Sequence, residues 1–209
     1  MKNIGITTRI IIDDNHGEVR DALDIKWIEL LNYIGFNPVI LPTGIDYSSY
    51  IKSLDIDGII FTGGNDLFSM SKNDLSELRD KKEKRILDFA IQESIPVYGV
   101  CRGMQFIAEY FGSTFRKLPN HVATTHEIKP AHSFWGSEYL KNLNTVNSFH
   151  NYGINLLSEK LLNVATAEDS SVEAFTHKSF KIFGQMWHPE REEPFKVFDL
   201  KLIQEFFND

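Results

Sequence analysis

One segment of this sequence has the makings of a turn built around a nucleophile. Pro96-Val97-Tyr98-Gly99-Val100-Cys101-Arg102-Gly103-Met104-Gln105 passes from an apolar, strand-like run through Gly-x-Cys-x-Gly into a helical pattern. So sharp a turn strains the backbone at its apex, and side chains on either flank would collide. Gly99 and Gly103 remove that conflict. A helix starting at Arg102 would aim its free N–H groups and positive dipole end at the Cys101 sulfur, favouring the thiolate. A lone cysteine is more often inert filler in a core, and the flanking glycines are what set Cys101 apart.

A cysteine nucleophile needs a base, and the base needs an orienting carboxylate. Among the seven histidines, His188 stands out in Gln185-Met186-Trp187-His188-Pro189-Glu190. Pro189 biases His188 toward an extended backbone, in which residues i and i+2 face the same way. Glu190 is therefore expected beside the imidazole. A second loop, Thr62-Gly63-Gly64-Asn65-Asp66, also follows a strand-like run. Glycine there permits close approach to a carbonyl, so the N–H groups of Gly64 and Arg102 are the expected oxyanion donors. The loop lacks the lysine and spacing of a phosphate loop. This chemistry calls for no metal and no cofactor. His16, His121, His126, His132, His150 and His177 show no His-x-x-x-His or Cys-His spacing. His121, His126 and His132 are expected as solvated loop residues rather than as a cluster.

The elements that must position these groups alternate in type. Strand-like runs at 3–7, 38–41, 58–61 and 96–100 are separated by helical patterns at 21–34, 78–94 and 104–111, with a short helical connection ending at 51–54. Gly35 is expected to close the first helix. In the helix over 78–94, residues 78, 86, 87, 90 and 91 are expected inside and the charged run Arg79 to Arg85 on a solvated face. That order indicates an α/β chain with a doubly wound, mostly parallel sheet. In the C-terminal half, closely spaced runs at 125–129, 145–149, 163–167, 172–176 and 182–187 suggest an antiparallel extension. An amphipathic helix over 195–207 closes the chain. Ligands of such sheets bind beyond the carboxyl ends of the strands, where Cys101, His188 and the Gly63-Gly64 loop all fall.

With 209 residues the chain is sized for a single domain spanning 1–209. Its formal charge of −7 and the lack of a basic cluster argue against nucleic acid or an anionic membrane as partner. No apolar run approaches the ~20 residues of a membrane span, and no signal-peptide pattern is seen. A single cysteine fits a reducing, cytoplasmic setting.

The order Gly-Gly loop, Gly99-Val100-Cys101-Arg102-Gly103-Met104-Gln105, then His188-Pro189-Glu190 resembles the class I glutamine amidotransferases. Within them it is most similar to the γ-glutamyl-γ-aminobutyrate hydrolase branch, peptidase C26. Gly5-Ile6-Thr7-Thr8-Arg9, Val146-Asn147-Ser148-Phe149-His150 and Val172-Glu173-Ala174-Phe175 support that branch. The resemblance implies a flavodoxin-like sheet, a γ-glutamyl thioester on Cys101, and release of L-glutamate. It implies a Cys101-His188-Glu190 triad, with the glutamyl end of the substrate against Gln105 and the segment Ser148, Phe149, His150, Asn151 and Tyr152. Relatives often carry His-His-Gln where this chain has His150-Asn151-Tyr152, a departure that bears on the leaving group. A narrower resemblance, to γ-glutamyl-CDP-amidate hydrolases of capsule biosynthesis, implies cytidine diphosphoramidate as that group. Arg9, Arg102, Lys117, His121 and His126 are then the cations to consider for its diphosphate. The alternative reading is a glutaminase subunit feeding ammonia to a separate synthetase, and a catalytically silent binding protein is a third. A small γ-glutamyl compound is the expected partner, with a homodimer, or a synthetase in the alternative, as the protein partner.

Overall fold

Strands and helices alternate along the chain as β1 (Asn3–Thr7), β2 (Arg9–Ile12), β3 (Val19–Ala22), α1 (Ile25–Tyr33), β4 (Asn37–Leu41), α2 (Tyr47–Ser53), β5 (Ile56–Phe61), α3 (Phe68–Ser71), α4 (Asp74–Gln92), β6 (Val97–Val100) and α5 (Arg102–Tyr110). There follow β7 (Thr114–Lys117), β8 (Val122–Pro130), α6 (Ser137–Leu140), β9 (Thr145–Phe149), β10 (Tyr152–Leu156), β11 (Leu161–Ala167), β12 (Val172–His177), β13 (Ile182–Gln185), a 3-10 turn at Pro189–Arg191, and α7 (Val197–Asn208). The computed structural model describes residues 1–208.

The main sheet has nine strands in the order β4-β1-β5-β6-β13-β12-β11-β8-β9. The first five are parallel, and from β13 onward every pairing is antiparallel. Renumbered among themselves, the parallel strands run 2-1-3-4-5, the flavodoxin-like order. The doubly wound sheet with its antiparallel extension is thus as expected. Successive side chains on a strand point to opposite faces, so each apolar strand feeds two cores. On one face Ile4, Ile6, Ile60 and Tyr98 pack under α1 and α7 with Trp27, Leu30, Ile203 and Phe206. On the other Ile59, Phe61 and Val97 meet Ile51 of α2, Ile86 and Leu87 of α4, and Met104 and Ile107 of α5. Among the described residues no helix is long and apolar enough to cross a membrane.

Two expectations need correction. The first helix starts at Ile25, not Asp21, because Asp24 caps it by accepting from the Lys26 N–H, while Val19–Ala22 pairs with β2 as a hairpin. At its other end Gly35 does close the turn, with φ +80°. The larger correction concerns α4. Arg79, Lys82 and Glu83 are buried and Leu78 is 40% exposed. Positions 79, 82, 83, 86, 87 and 90 form one i, i+3, i+4 stripe, so the apolar face continues N-terminally as charged residues instead of rotating them into water. The small β7–β10 sheet also had no counterpart in the sequence reading.

Candidate active site

At the end of β6 the chain turns abruptly into α5. Cys101 sits at the apex with φ +52° and ψ −108°, a region that L-residues rarely occupy. Its N–H donates to the Gln185 carbonyl of the adjacent β13 at 2.8 Å, which anchors the turn to the sheet. Both flanking glycines are required by packing. A Cβ on Gly99 would lie 2.7 Å from Ile107 Cδ1 and 2.8 Å from the Met104 nitrogen, and one on Gly103 only 2.0 Å from the Phe61 carbonyl oxygen. Helix α5 therefore starts directly against β5 and β6, and its first N–H groups lack intrahelical partners beside the sulfur.

His188 follows β13 with extended backbone (φ −106°, ψ 93°), and its Nδ1 lies 2.7 Å from Glu190 Oε1. Both residues are buried. Burial opposes charging of the imidazole, but the Cys101 sulfur and the Glu190 carboxylate outweigh it, each by charge and by hydrogen bonding. The His188 pKa rises to about 9. Cys101, His188 and Glu190 are thus brought together as expected. Asn147, to which the sequence reading gave no role of its own, holds the histidine's backbone from both sides. Its Oδ1 accepts from the His188 N–H at 2.9 Å and its Nδ2 donates to the His188 carbonyl at 2.8 Å.

The Gly63-Gly64 loop lies against the same imidazole, since a Cβ on Gly63 would fall 2.7 Å from His188 Cε1. Gly64 has φ +117°, a conformation open to glycine. Arg79 of α4 fastens this loop by donating to the carbonyls of Thr62 (2.7 Å) and Gly63 (2.9 Å). Its Nε donates to Glu83 at 3.0 Å, and Glu83 and Asp80 also accept from the guanidinium of Arg102. Burial lowers the Arg102 pKa, Arg79 lowers it further, and Asp80 opposes both. The side chain of Arg102 is consequently spent inside the protein and is not a surface cation for a diphosphate. Only its N–H, at the head of α5, remains suited to an oxyanion.

A cleft of about 260 Å³ opens over these groups, lined by Arg9, Asp24, Trp27, Thr62, Gly63, Gly64, His188, Glu190 and Arg191 among others. It lies where the strand order reverses between β1 and β5, the expected ligand position in such a sheet. Of the candidate cations Arg9 alone lines it, and Arg191, not among the candidates, lines it too. In the segment expected to hold substrate the roles divide. Phe149 stands edge-on to His188, with ring centroids 5.8 Å apart. Ser148 is fully buried and donates to the His121 carbonyl at 2.7 Å, so its hydroxyl faces inward. Gln105 donates to the Tyr152 carbonyl at 2.9 Å and so supports the segment from beneath. Asn151 is exposed and Tyr152 half-buried. Lys117 is exposed on β7, opposite Tyr152. His150 is turned into the protein, where its ring meets His121 at 4.9 Å. His121, also buried, and the half-buried His126 are not the solvated residues expected, whereas His132 is exposed and bonds the Asn163 carbonyl.

A family model described as Peptidase C26 matches residues 3–190. The chain belongs to the Peptidase C26 family. This C26 protein is 40% identical over 208 residues to Gamma-glutamyl-CDP-amidate hydrolase of Campylobacter jejuni, covering 98% of this chain and 97% of that one. It is 26% identical to a glutamine-hydrolyzing GMP synthase chain of Methanocaldococcus jannaschii, over 87% of each chain. A glutamine amidotransferase from Thermotoga maritima superposes on the C26 protein with a TM-score of 0.71 at 12% identity, covering 100% of this chain and 99% of that one. That last likeness is one of fold.

Proposed function

We propose that this C26-family chain hydrolyses a γ-glutamyl amide through Cys101, His188 and Glu190. The observation that carries the reading is the strained Cys101 at the head of α5, within reach of an imidazole paired at 2.7 Å with a buried carboxylate. The Cys101 thiolate attacks the γ-carbonyl, and the N–H groups of Gly64 and Arg102 receive the developing oxyanion. His188, as imidazolium held by Glu190, protonates the departing nitrogen as the C–N bond breaks. The neutral imidazole then takes a proton from water, which attacks the thioester, releases L-glutamate and restores the thiolate.

The substrate we favour is γ-glutamyl-CDP-amidate, the compound in the name of the relative that is 40% identical. Hydrolysis of its amide would leave glutamate and cytidine diphosphoramidate, and it would place the enzyme in capsule biosynthesis in the cytoplasm. In support, Arg9 and Arg191 line the cleft beside His188, offering local positive charge in a chain of net charge −7. The likeness to a glutamine-hydrolyzing GMP synthase chain keeps a second reading open, in which this protein is the glutaminase partner of a separate synthetase.

The test is glutamate release by the purified protein and by Cys101→Ala, from glutamine, γ-glutamyl-γ-aminobutyrate and γ-glutamyl-CDP-amidate. Cys101-dependent turnover of the CDP-amidate with glutamine nearly inert is the expected result. Turnover of glutamine alone would favour the synthetase partner, and no release from any compound would sink both readings.

A further inference from the structure

At the Ser148–Tyr152 segment, and among none of the residues that line the His188 cleft, four side chains from in or beside three strands converge. His121 immediately precedes β8, His126 lies on it, His150 follows β9, and Glu173 lies on β12. One ligand atom from each falls within 4.8 Å of all the others. His121, His150 and Glu173 are buried and His126 is half-buried. Four of their polar atoms, His121 Nδ1, His126 Nε2, His150 Nε2 and Glu173 Oε2, are buried without a hydrogen-bond partner. Such orphans each carry a desolvation cost, so a folded chain rarely gathers four at one point.

The rest of the network explains why they are orphans. His121 Nε2 lies 3.2 Å from Asp169 Oδ2, His126 Nδ1 lies 3.2 Å from the Glu127 carbonyl, and His150 Nδ1 lies 3.1 Å from the Tyr152 carbonyl. Each of those oxygens can only accept, so each ring places its proton there. In the neutral form of each ring the other nitrogen is then a bare lone pair, and all three of these nitrogens face the Glu173 carboxylate. Glu173 Oε1 accepts from Ser171 Oγ at 3.1 Å, which fixes the carboxylate from behind. Three acceptors around a fourth have no donor among them. A single proton on Glu173 can serve one ring only.

We propose that His121, His126, His150 and Glu173 form a binding site for one divalent transition-metal ion of the zinc class. Three imidazoles and one carboxylate, each oriented by an outer hydrogen bond, are a suitable donor set for that ion. Ligands ~2.0–2.2 Å from a tetrahedral ion stand about 3.4 Å apart. Glu173 Oε1 lies 3.9 Å from both His121 Nδ1 and His150 Nε2, Glu173 Oε2 lies 3.7 Å from His126 Nε2, and no two ligand atoms are more than 4.8 Å apart, so closure takes between about half an ångström and 1.4 Å for each pair. With four protein ligands the site is closed, and its role is to tie β8, β9 and β12 together at the substrate segment.

The experiment uses chelator-stripped full-length protein titrated with zinc against a chromophoric competitor, and with cobalt(II), whose visible absorption reports tetrahedral coordination. One ion per chain is expected, with a zinc-dependent rise in Tm. His126→Ala and Glu173→Gln should weaken zinc at least 100-fold, Asp169→Asn about 10–100-fold through its histidine, and His132→Ala not at all. Circular dichroism of each variant separates loss of the site from loss of the fold. Absence of stoichiometric binding by the wild-type chain would overturn the proposal. So would binding that survives in folded His126→Ala and Glu173→Gln.

Discussion

The guanidinium of Arg102 and the carboxylate of Glu83 form a buried pair that joins α5 to α4. The residue that follows Cys101 is thereby locked to the helix whose Arg79 holds the Gly63-Gly64 loop. One charged cluster positions both expected oxyanion donors, although none of its side chains need touch substrate.

Removing the shared carboxylate should expose how much depends on it. In Glu83→Ala the buried guanidiniums of Arg79 and Arg102 each lose a partner, and a broken buried pair costs ~3–5 kcal/mol. Urea unfolding should show a loss of that order, with Glu83→Gln intermediate. A loss below about 1 kcal/mol would mean that Asp80 and the loop carbonyls suffice.

Glu190→Gln keeps the shape of the His188 partner but not its charge. We expect kcat for γ-glutamyl amide hydrolysis to fall about 10²–10⁴-fold with KM little changed. The sign of the pH effect follows from the same contact. Glu190 helps to raise the His188 pKa to about 9, so without that charge the imidazolium is lost at lower pH. The basic limb of the rate profile should move down. A limb that stays in place would assign it to another group.

Gly63→Ala tests the approach of the loop to the imidazole. The added methyl would sit 2.7 Å from His188 Cε1, and that ring is bonded to Glu190 while Asn147 holds its backbone, so it cannot yield freely. Activity should drop roughly 10–100-fold, as expected of a displacement under an ångström. Tm should change little. Unaltered turnover would show that the loop moves instead.

Asp199 gives a pH-dependent stability. It is buried and accepts from Trp187 Nε1 at 2.8 Å, and burial raises its pKa to about 7. Between about pH 4 and 7 the unfolded chain ionises this group while the native chain keeps its proton. Stability therefore falls as pH rises through that window, and the loss is complete above pH 7. Asp199→Asn retains the acceptor for Trp187 without the charge. Its stability should gain on wild type from pH 4 to 7, by at most on the order of 4 kcal/mol. Parallel stability curves for the two proteins would rule this out.

The local chemistry was legible in the sequence because it is written in adjacent residues. Gly99, Cys101 and Gly103 describe a turn that only small neighbours permit, and His188-Pro189-Glu190 carries its own pairing at i, i+2. The parallel sense of β1, β4, β5 and β6 follows from alternating strand and helix patterns, whereas their order in the sheet does not. Tertiary structure alone decided which charges are buried and which histidines meet. Whether Arg79, Lys82 and Glu83 face water depends on the partners that Thr62 and Gly63, Thr8 and Asp21, and Arg102 respectively offer from elsewhere in the chain. His121, His126, His150 and Glu173 converge from in or beside three strands, and no spacing along the chain encodes their approach. A charged or ligating side chain takes its role from groups distant in sequence, whereas the strain of a turn arises between neighbours.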